Sequence, residues 1–264
     1  GGTVVQANAS KSVIASRIKG PDVATANAPS RSPAQARVIM SSSSWLFAVA
    51  VSVTLASSAL AECVTYGFCG RDEDSDKPLP CAVKRKSAPL ESSFLEEACP
   101  ALVDGKAAYA CCDAEQAAAF KAEYKSLTSL GVRKDSKCFK NFQNLVCQAF
   151  CSPRQSTFVA INGTSSSGEK LSATESVYAV HKNFAQQVYD ACKDARTHVF
   201  GVKLMNFMCG KGGGRNCSPQ RFLDFVGAVY SEGGYSPLKI RHVLTESPIT
   251  VNGQTLEPFN PKIL

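Results

Sequence analysis

The fold is decided by residues 138–158, CFKNFQNLVCQAFCSPRQSTF. On a helix at about 100° per residue, residues 138–151 separate into an apolar arc, a cysteine arc and an amide arc. The three sets are Phe139, Phe142, Leu145, Val146, Ala149 and Phe150; Cys147 and Cys151; and Asn141, Asn144 and Gln148. The residue before a proline avoids the α region, so Ser152-Pro153 should end the helix. The pattern predicts a core helix that disulfides hold from more than one side.

The first 61 residues read as material outside the folded domain. Residues 1–39 are rich in Ala, Ser, Pro and Asn and show no sustained period, which is typical of a disordered or non-native leader. Residues 40–61 hold a short apolar run that closes in SSALA, which predicts a secretory signal peptide with Met40 as its start. No Lys or Arg lies between Met40 and the apolar run, so an uncleaved anchor is the alternative. The folded domain is expected at residues 62–264.

The charge of the chain lies largely in this leader. Residues 1–61 carry five basic side chains and one acidic side chain, and removing them lowers the net charge from +7 to +3. No arginine-rich or RNP-like patch is present, so the sequence gives little support for a nucleic-acid partner.

Twelve cysteines follow the predicted cleavage point, and none precedes it. An even number behind a signal peptide predicts a disulfide framework in an oxidising lumen, with no cysteine free. Cys147 and Cys151 should not bond each other, because residues four apart on a helix have Cβ atoms ~5–6 Å apart and a disulfide needs roughly 3.8 Å. Adjacent Cys111 and Cys112 should bond to two different elements. Zinc is disfavoured because there is no CxxC pair and the three histidines are scattered.

Helix and turn signals predict an α+β fold of about four helices followed by a small antiparallel sheet. Asp113 caps a helix that runs to about Leu127, with Gln116 completing a capping box. Ser218-Pro219 starts another helix. Asn252-Gly253 predicts a hairpin between PITV and QTL, and PLKIRHVL predicts a further strand.

Two further segments are predicted from composition and spacing. Residues 63–99 read as loop-like, because prolines and mixed charges interrupt them. Residues 171–196 read as the longest helix, with a capping box at Ser172 and Glu175. Its buried stripe would be Val177, Val180, Phe184, Val188, Ala191 and Ala195.

The sequence contains none of the familiar catalytic patterns. GxSxG, HExxH and paired carboxylates on one helical face are absent, and KGGGRN between Cys209 and Cys217 lacks the strand and GK[ST] of a phosphate loop. His181 fits a core or boundary histidine better than a catalytic base. The chain is therefore expected to be neither an enzyme nor a cofactor protein. Asn162 and Asn216 stand in glycosylation sequons.

Five segments resemble, in order, the N-terminal lumenal domain of the Niemann–Pick C, type 1 family of sterol transporters. They are CVTYGFCG, ACCDAEQ, CFKNFQNLVCQAFCSPRQSTF, YDACKDA and FMCGKGGGRNC, and the resemblance covers roughly Cys63–Pro258. It implies a disulfide-rich α+β domain with an internal sterol pocket. It also implies six disulfides: Cys63–Cys111, Cys69–Cys81, Cys99–Cys147, Cys112–Cys151, Cys138–Cys192 and Cys209–Cys217.

The resemblance also implies a ligand site. Gln116 matches the residue that bonds the sterol hydroxyl, although its place in a capping box is an equal alternative. Lining positions fall on Phe68, Pro80, Phe120, Val146, Phe225, Val226, Pro237, Leu238 and Ile240, which ordinary core packing would also suit. Phe207 and Met208 match the pocket mouth used in transfer. Phe68 and Pro80 replace the acid and the asparagine of the family pattern, so the hydroxyl end has lost two polar groups.

Together these observations predict a lumenal sterol-binding and transfer domain, at the N-terminus of a larger membrane transporter in lysosomes, endosomes or a related compartment. A small soluble carrier of the Niemann–Pick type C2 kind would be its partner. The alternative is a secreted cysteine-rich domain that recognises a protein and holds no lipid.

Overall fold

The computed structural model describes residues 62–103, 108–198 and 201–264, so the expected leader and signal peptide lie outside it. The strands of this part are β1 (Cys63–Arg71), β2 (Pro78–Arg85), β3 (Ala88–Leu90), β4 (Ala108–Ala110), β5 (Val159–Ser167), β6 (Lys170–His181), β7 (Lys239–Thr245), β8 (Ile249–Val251) and β9 (Gln254–Leu256). Its helices are α1 (Ser92–Ala98), α2 (Ala114–Ser129), α3 (Lys137–Cys151), α4 (Lys182–Cys192) and α5 (Pro219–Val226).

A five-stranded sheet organises the domain around β6. The strand order is β1-β2-β6-β5, and β7 also pairs with β6, in parallel. The β3–β4 and β8–β9 pairs form two small separate sheets. The α+β prediction is confirmed, and so is the hairpin at Asn252-Gly253, where both residues have positive φ as a primed turn requires. The PLKIRHVL strand exists as β7, but it joins the large sheet instead of the small antiparallel one.

The predicted helix over residues 171–196 is wrong in its first half, which is strand β6, and so is the capping box at Ser172 and Glu175. Val177 and Ala179 pack toward Leu256 of the β8–β9 hairpin, whereas Tyr178 and Val180 face the main core. Both faces of the strand are therefore covered. A strand buried on both sides loses its alternation and, in this case, imitates helical spacing. His181 is the N-cap of α4, where its Nδ1 accepts from the Asn183 N–H.

The loop-like prediction for residues 63–99 is also wrong, because this segment contains β1, β2, β3 and α1. The acidic run that suggested a loop lies in the turn between β1 and β2, whereas Lys84 and Arg85 lie in β2 itself. Pro78 and Pro80 lie within β2 itself, whose pairing with β1 shifts register three times. Proline removes a backbone donor, and such interrupted ladders tolerate it.

The local signals for helix ends are confirmed. Helix α3 ends at Cys151, α5 begins after its Ser218 cap, and α2 has the full Asp113–Gln116 capping box. Phe139, Leu145 and Ala149 of α3 pack into the main core against α4 and the sheet.

Five of the six implied disulfides are present: Cys63–Cys111, Cys99–Cys147, Cys112–Cys151, Cys138–Cys192 and Cys209–Cys217. Three of them hold α3, as its cysteine pattern predicted. Cys111 and Cys112 bond to two different elements.

The sixth pair, Cys69 and Cys81, is not bonded, so the prediction that no cysteine is free is wrong for this structure. The β1–β2 register passes from Phe68↔Pro80 to Gly70↔Leu79, so Cys69 has no residue directly opposite. Its thiol donates instead to the Leu171 carbonyl oxygen, 3.4 Å away. Burial and the neighbouring Cys69 thiol raise the pKa of Cys81 to about 12.

Candidate functional site

Helix α3 carries an apolar stripe that is only half-buried. Phe142, Val146 and Phe150 stand four residues apart and are partly accessible, whereas Leu145, Cys147 and Ala149 beside them are buried. Residues spaced by four lie one above the other on a helix. The stripe therefore runs for about 12 Å along α3, at 1.5 Å per residue.

One end of the stripe leads to α2. The Phe120 ring packs on Phe150 with ring centroids 5.1 Å apart. Phe120 lies one helical turn after Gln116, so this contact places Gln116 near the Phe150 end. We call α2 and α3 together the platform.

The other end of the stripe leads to residues 204–245, which include α5 and β7 and which we call the outer wall. Phe142 packs against Phe222 of α5 at a centroid distance of 6.3 Å. Both rings line an apolar cavity of about 10 Å³ that Met208 also lines. Phe207 beside it is 47% exposed. The two predicted mouth residues thus lie at the end of the stripe opposite Gln116.

Gln116 is 1% exposed, and its two amide atoms have different surroundings. Oε1 accepts from the Gly67 N–H at 2.8 Å and the Asp113 N–H at 3.2 Å. Since both partners are donors, they identify this atom as the oxygen. The buried Nε2 has no hydrogen-bond partner among the described residues. An unpaired buried donor costs about 1–3 kcal/mol, so Nε2 is ready to bind an acceptor.

This arrangement removes the conflict between the two predicted roles of Gln116. The oxygen completes the capping box of α2, and the nitrogen has no part in it. Gly67 makes the contact possible because its φ of +68° turns the β1 backbone toward α2. A glycine within a strand pattern signals such a close approach, and that signal in TYGFCG could have identified Gly67 from the sequence.

The structure brings together some of the predicted lining residues. Phe120, Val226, Leu238, Ile240 and Met208 join one apolar cluster. Phe142 and Phe150 belong to it too, and sequence reasoning placed them on the apolar arc of α3 without assigning them to the pocket.

The other predicted lining residues, Phe68, Pro80, Val146, Phe225 and Pro237, lie outside this cluster. Phe68 pairs with Pro80 across the β1–β2 hairpin, and Pro80 is buried. Phe225 stands edge-on to Tyr235, with ring centroids 6.2 Å apart.

The outer wall contains a buried histidine. His242 of β7 is 6% exposed, and its ring packs on Tyr178 at a centroid distance of 5.6 Å. Burial lowers the pKa of His242 to about 4, which a hydrogen bond with the Leu223 backbone partly opposes. Its Nδ1 has no partner within the described part of the chain. The ring is therefore held neutral between α5 and β6.

Other predicted sites lie away from this region. Asn162 is exposed on β5, and Asn216 is exposed in the short loop between Cys209 and Cys217. Both stay predictions as glycosylation sites. In the ranges that the structure describes, His, Cys, Asp and Glu side chains form no cluster suited to a metal ion. None of the helices described has the length and apolar character to cross a membrane.

Comparison with known proteins gives one consistent result. The sequence profile of the family described as Niemann-Pick C1 N terminus matches residues 60–264. NPC1-like intracellular cholesterol transporter 1 of Homo sapiens is 33% identical over 209 residues, and NPC intracellular cholesterol transporter 1 of Sus scrofa is 27% identical over 207 residues. Each alignment covers 75% of this chain and 15% of the relative. The chain thus corresponds to a small part of these longer proteins.

Proposed function

Because this chain belongs to the Niemann-Pick C1 N terminus family, we propose that it binds a sterol along the apolar stripe of α3. In this proposal the sterol hydroxyl lies at Gln116 and the hydrocarbon tail points toward Met208. The observation that carries the proposal is the unpaired Nε2 of a 99% buried amide at one end of that stripe.

The chemistry of the two ends suits an amphipathic ligand of this kind. A sterol buries on the order of 500 Å² of apolar surface, worth at most ~12 kcal/mol before the cost of association is subtracted. The hydroxyl contributes little net energy, but it is costly to leave unpaired once buried. Gln116 Nε2 therefore sets the orientation of the ligand, and the aromatic side chains of the stripe supply most of the affinity.

Ligand entry requires the outer wall to move. The apolar cavity between Phe142, Met208 and Phe222 has a volume of about 10 Å³, which is room for one water molecule at most. In the part of the chain that the structure describes, no disulfide joins the outer wall to the platform, because Cys209 and Cys217 bond each other within the wall. β7 anchors the wall to the sheet through its pairing with β6, so we expect the groove to open on the side of Met208 and α5.

We extend the proposal to transfer. The relatives are named as intracellular cholesterol transporters, and this chain spans 15% of their length. The domain would then act on the lumenal side of a lysosomal or endosomal membrane, to which further domains would attach it. The half-exposed Phe207 would contact a small soluble sterol carrier of the Niemann–Pick type C2 kind.

The alternative function, protein recognition without lipid, has an observation in its favour. Tyr230 and Tyr235 on the outer wall are 62% and 71% exposed, and tyrosine is frequent at protein interfaces. In that case the stripe would be ordinary core packing. The two functions differ in whether lipid enters the domain.

The test is saturable binding of tritiated cholesterol to the purified chain, together with native mass spectrometry of lipids that copurify with it. We expect one sterol per chain and an affinity that falls when Val146→Glu places a charge on the stripe. Tyr109→Glu is the control, since Tyr109 is 57% exposed on β4. Absence of both copurified sterol and saturable binding would support the protein-recognition function.

A further inference from the structure

A second polar group lies at the Gln116 end of the stripe. Gly67 donates its N–H to Gln116 Oε1, and a Cβ added to Gly67 would lie 3.2 Å from Asp113 Oδ2. The Gly67 backbone and the Asp113 carboxylate therefore approach each other too closely for a side chain at residue 67 to fit without a shift.

The two carboxylate oxygens of Asp113, which is half-buried, also differ in their hydrogen bonds. Oδ1 accepts from the Gln116 N–H at 2.9 Å and caps α2. Oδ2 accepts no hydrogen bond from a described residue in the contacts that the structure shows. The Asp113 carboxylate also raises the pKa of Cys81 in β2, although burial and the Cys69 thiol raise it more. The carboxylate therefore lies close enough to β2 to act on that thiol.

We infer that Asp113 Oδ2 accepts the hydrogen bond that the ligand hydroxyl donates, while Gln116 Nε2 donates to the oxygen of the same hydroxyl. This inference rests on the proposed function and adds a specificity-determining residue to it. A hydroxyl is the group that uses both contacts, since it donates once and accepts twice. The Asp113 carboxylate thus supplies an acid where Phe68 and Pro80 offer no polar side chain.

The inference predicts selection of a hydroxyl over a ketone. A ketone accepts from Gln116 Nε2 as well as a hydroxyl does, but it has no proton for Asp113 Oδ2, which it would bury unpaired. The probes are cholestanol and cholestanone, which differ only in carrying a hydroxyl or a ketone on the same ring carbon. We expect the wild-type chain to bind cholestanol about ten- to a hundred-fold more tightly, as is typical of a hydrogen bond to a charged group.

Asp113→Asn is the sharpest variant. The capping bond to the Gln116 N–H requires an oxygen, so the asparagine must place its Oδ1 there and its Nδ2 where Oδ2 stood. One acceptor is thereby replaced by a donor, while asparagine caps helices as well as aspartate does. The preference for cholestanol should disappear or reverse. Asp113→Ser keeps a cap and withdraws the second polar atom, and its preference should fall below about threefold.

Ser136→Ala is the matched control, because it removes the N-cap of α3 and touches no part of the site. It should lower the melting temperature and leave the preference unchanged. If wild type binds cholestanone as tightly as cholestanol, or if Asp113→Asn retains the preference, the role of Asp113 is overturned and sterol binding stands. If wild type binds neither sterol, the proposed function fails and the role of Asp113 fails with it.

Discussion

The platform and the outer wall enclose the same stripe but are held in different ways. Three disulfides tie α3 of the platform to α1, to α4 and to the segment before α2. The outer wall has a single disulfide, which closes a short loop inside it. Its α5 and β7 pack so closely that a Cβ on Gly227 would overlap the Ile240 carbonyl oxygen. The polar end thus belongs to a surface held by disulfides, whereas the wall is held by packing and by the pairing of β7 with β6. In the proposed function, the part of the wall around α5 is the part that moves.

Removing a disulfide should give the largest effect and should distinguish the two regions. Cys99–Cys147 closes a separation of 48 residues and Cys209–Cys217 a separation of 8. In the loop-entropy account their losses cost roughly 4 and roughly 2.5 kcal/mol of unfolding free energy. We expect the double alanine variants to follow this order in urea unfolding. Equal losses of unfolding free energy would mean that the disulfide of the outer wall stabilises the fold as much as the disulfide of the platform.

Acidification should lower the stability of the outer wall before it lowers that of the platform. The pKa of His242 falls from 6.5 in the unfolded chain to about 4 in the fold. Above pH 6.5 both states are neutral and burial of the ring has no proton-linked cost. As the pH falls from 6.5 toward 4, the unfolded chain takes up a proton that the fold excludes, and stability declines by up to roughly 3 kcal/mol.

Urea unfolding between pH 7.5 and 4.5 measures this dependence. His242→Gln should remove most of the slope, and the protection factors of amides in α5, taken relative to the intrinsic exchange rate at each pH, should fall with acid in the wild type only. Tyr178→Phe, beneath the ring, should lower stability equally at every pH, because its hydroxyl bonds the Leu145 carbonyl oxygen and does not titrate in this range. A slope unchanged in His242→Gln would assign the acid sensitivity to other groups.

Gln116→Leu tests whether the polar end belongs to the ligand or to the platform. Loss of the Nε2 donor should weaken cholesterol binding by ~1–3 kcal/mol, which is about ten- to a hundred-fold. Loss of the Oε1 acceptor removes bonds to Gly67 and Asp113 and should lower stability by about 0.5–1 kcal/mol. Melting temperature and sterol affinity are measured on the same variant. A drop in stability with unchanged affinity would make Gln116 purely structural.

What the sequence revealed about the fold depended on how local each signal was. The arcs of α3, its proline stop and the caps at Asp113 and Ser218 depend on neighbours within a few residues, and all of them are present. Strand β6 was read as a helix because its burial comes from β5, β7 and the β8–β9 hairpin. The spacing of Val177 and Val180 in the sequence does not show which elements will cover them in the fold.

The candidate site shows the same limit. Gln116 was identified from a motif, yet the separate use of its two amide atoms depends on Gly67, 49 residues away. The helical arcs contained Phe142 and Phe150, but only the fold shows that their stripe stays half-exposed while the adjacent stripes are buried. The register shifts between β1 and β2, which bring Cys69 and Cys81 near each other, are likewise not encoded by spacing.

The smallest effect on stability concerns the link between the two regions. Lys77, just before β2, bonds Glu123 of the platform and the Tyr235 carbonyl oxygen of the outer wall, each at 2.9 Å. An accessible ion pair stabilises a fold by less than about 1 kcal/mol, so Lys77→Met should scarcely change the melting temperature. If this side chain holds the wall closed, both association and dissociation of cholesterol should accelerate in the variant, with affinity nearly constant.

Lys121→Met, which removes an ion pair with Glu97 on the far side of α2, should match it in stability and leave both rates unchanged. Equal rates in the two variants would show that the wall opens without breaking the Lys77 link, and the boundary between fixed and moving parts would then lie elsewhere.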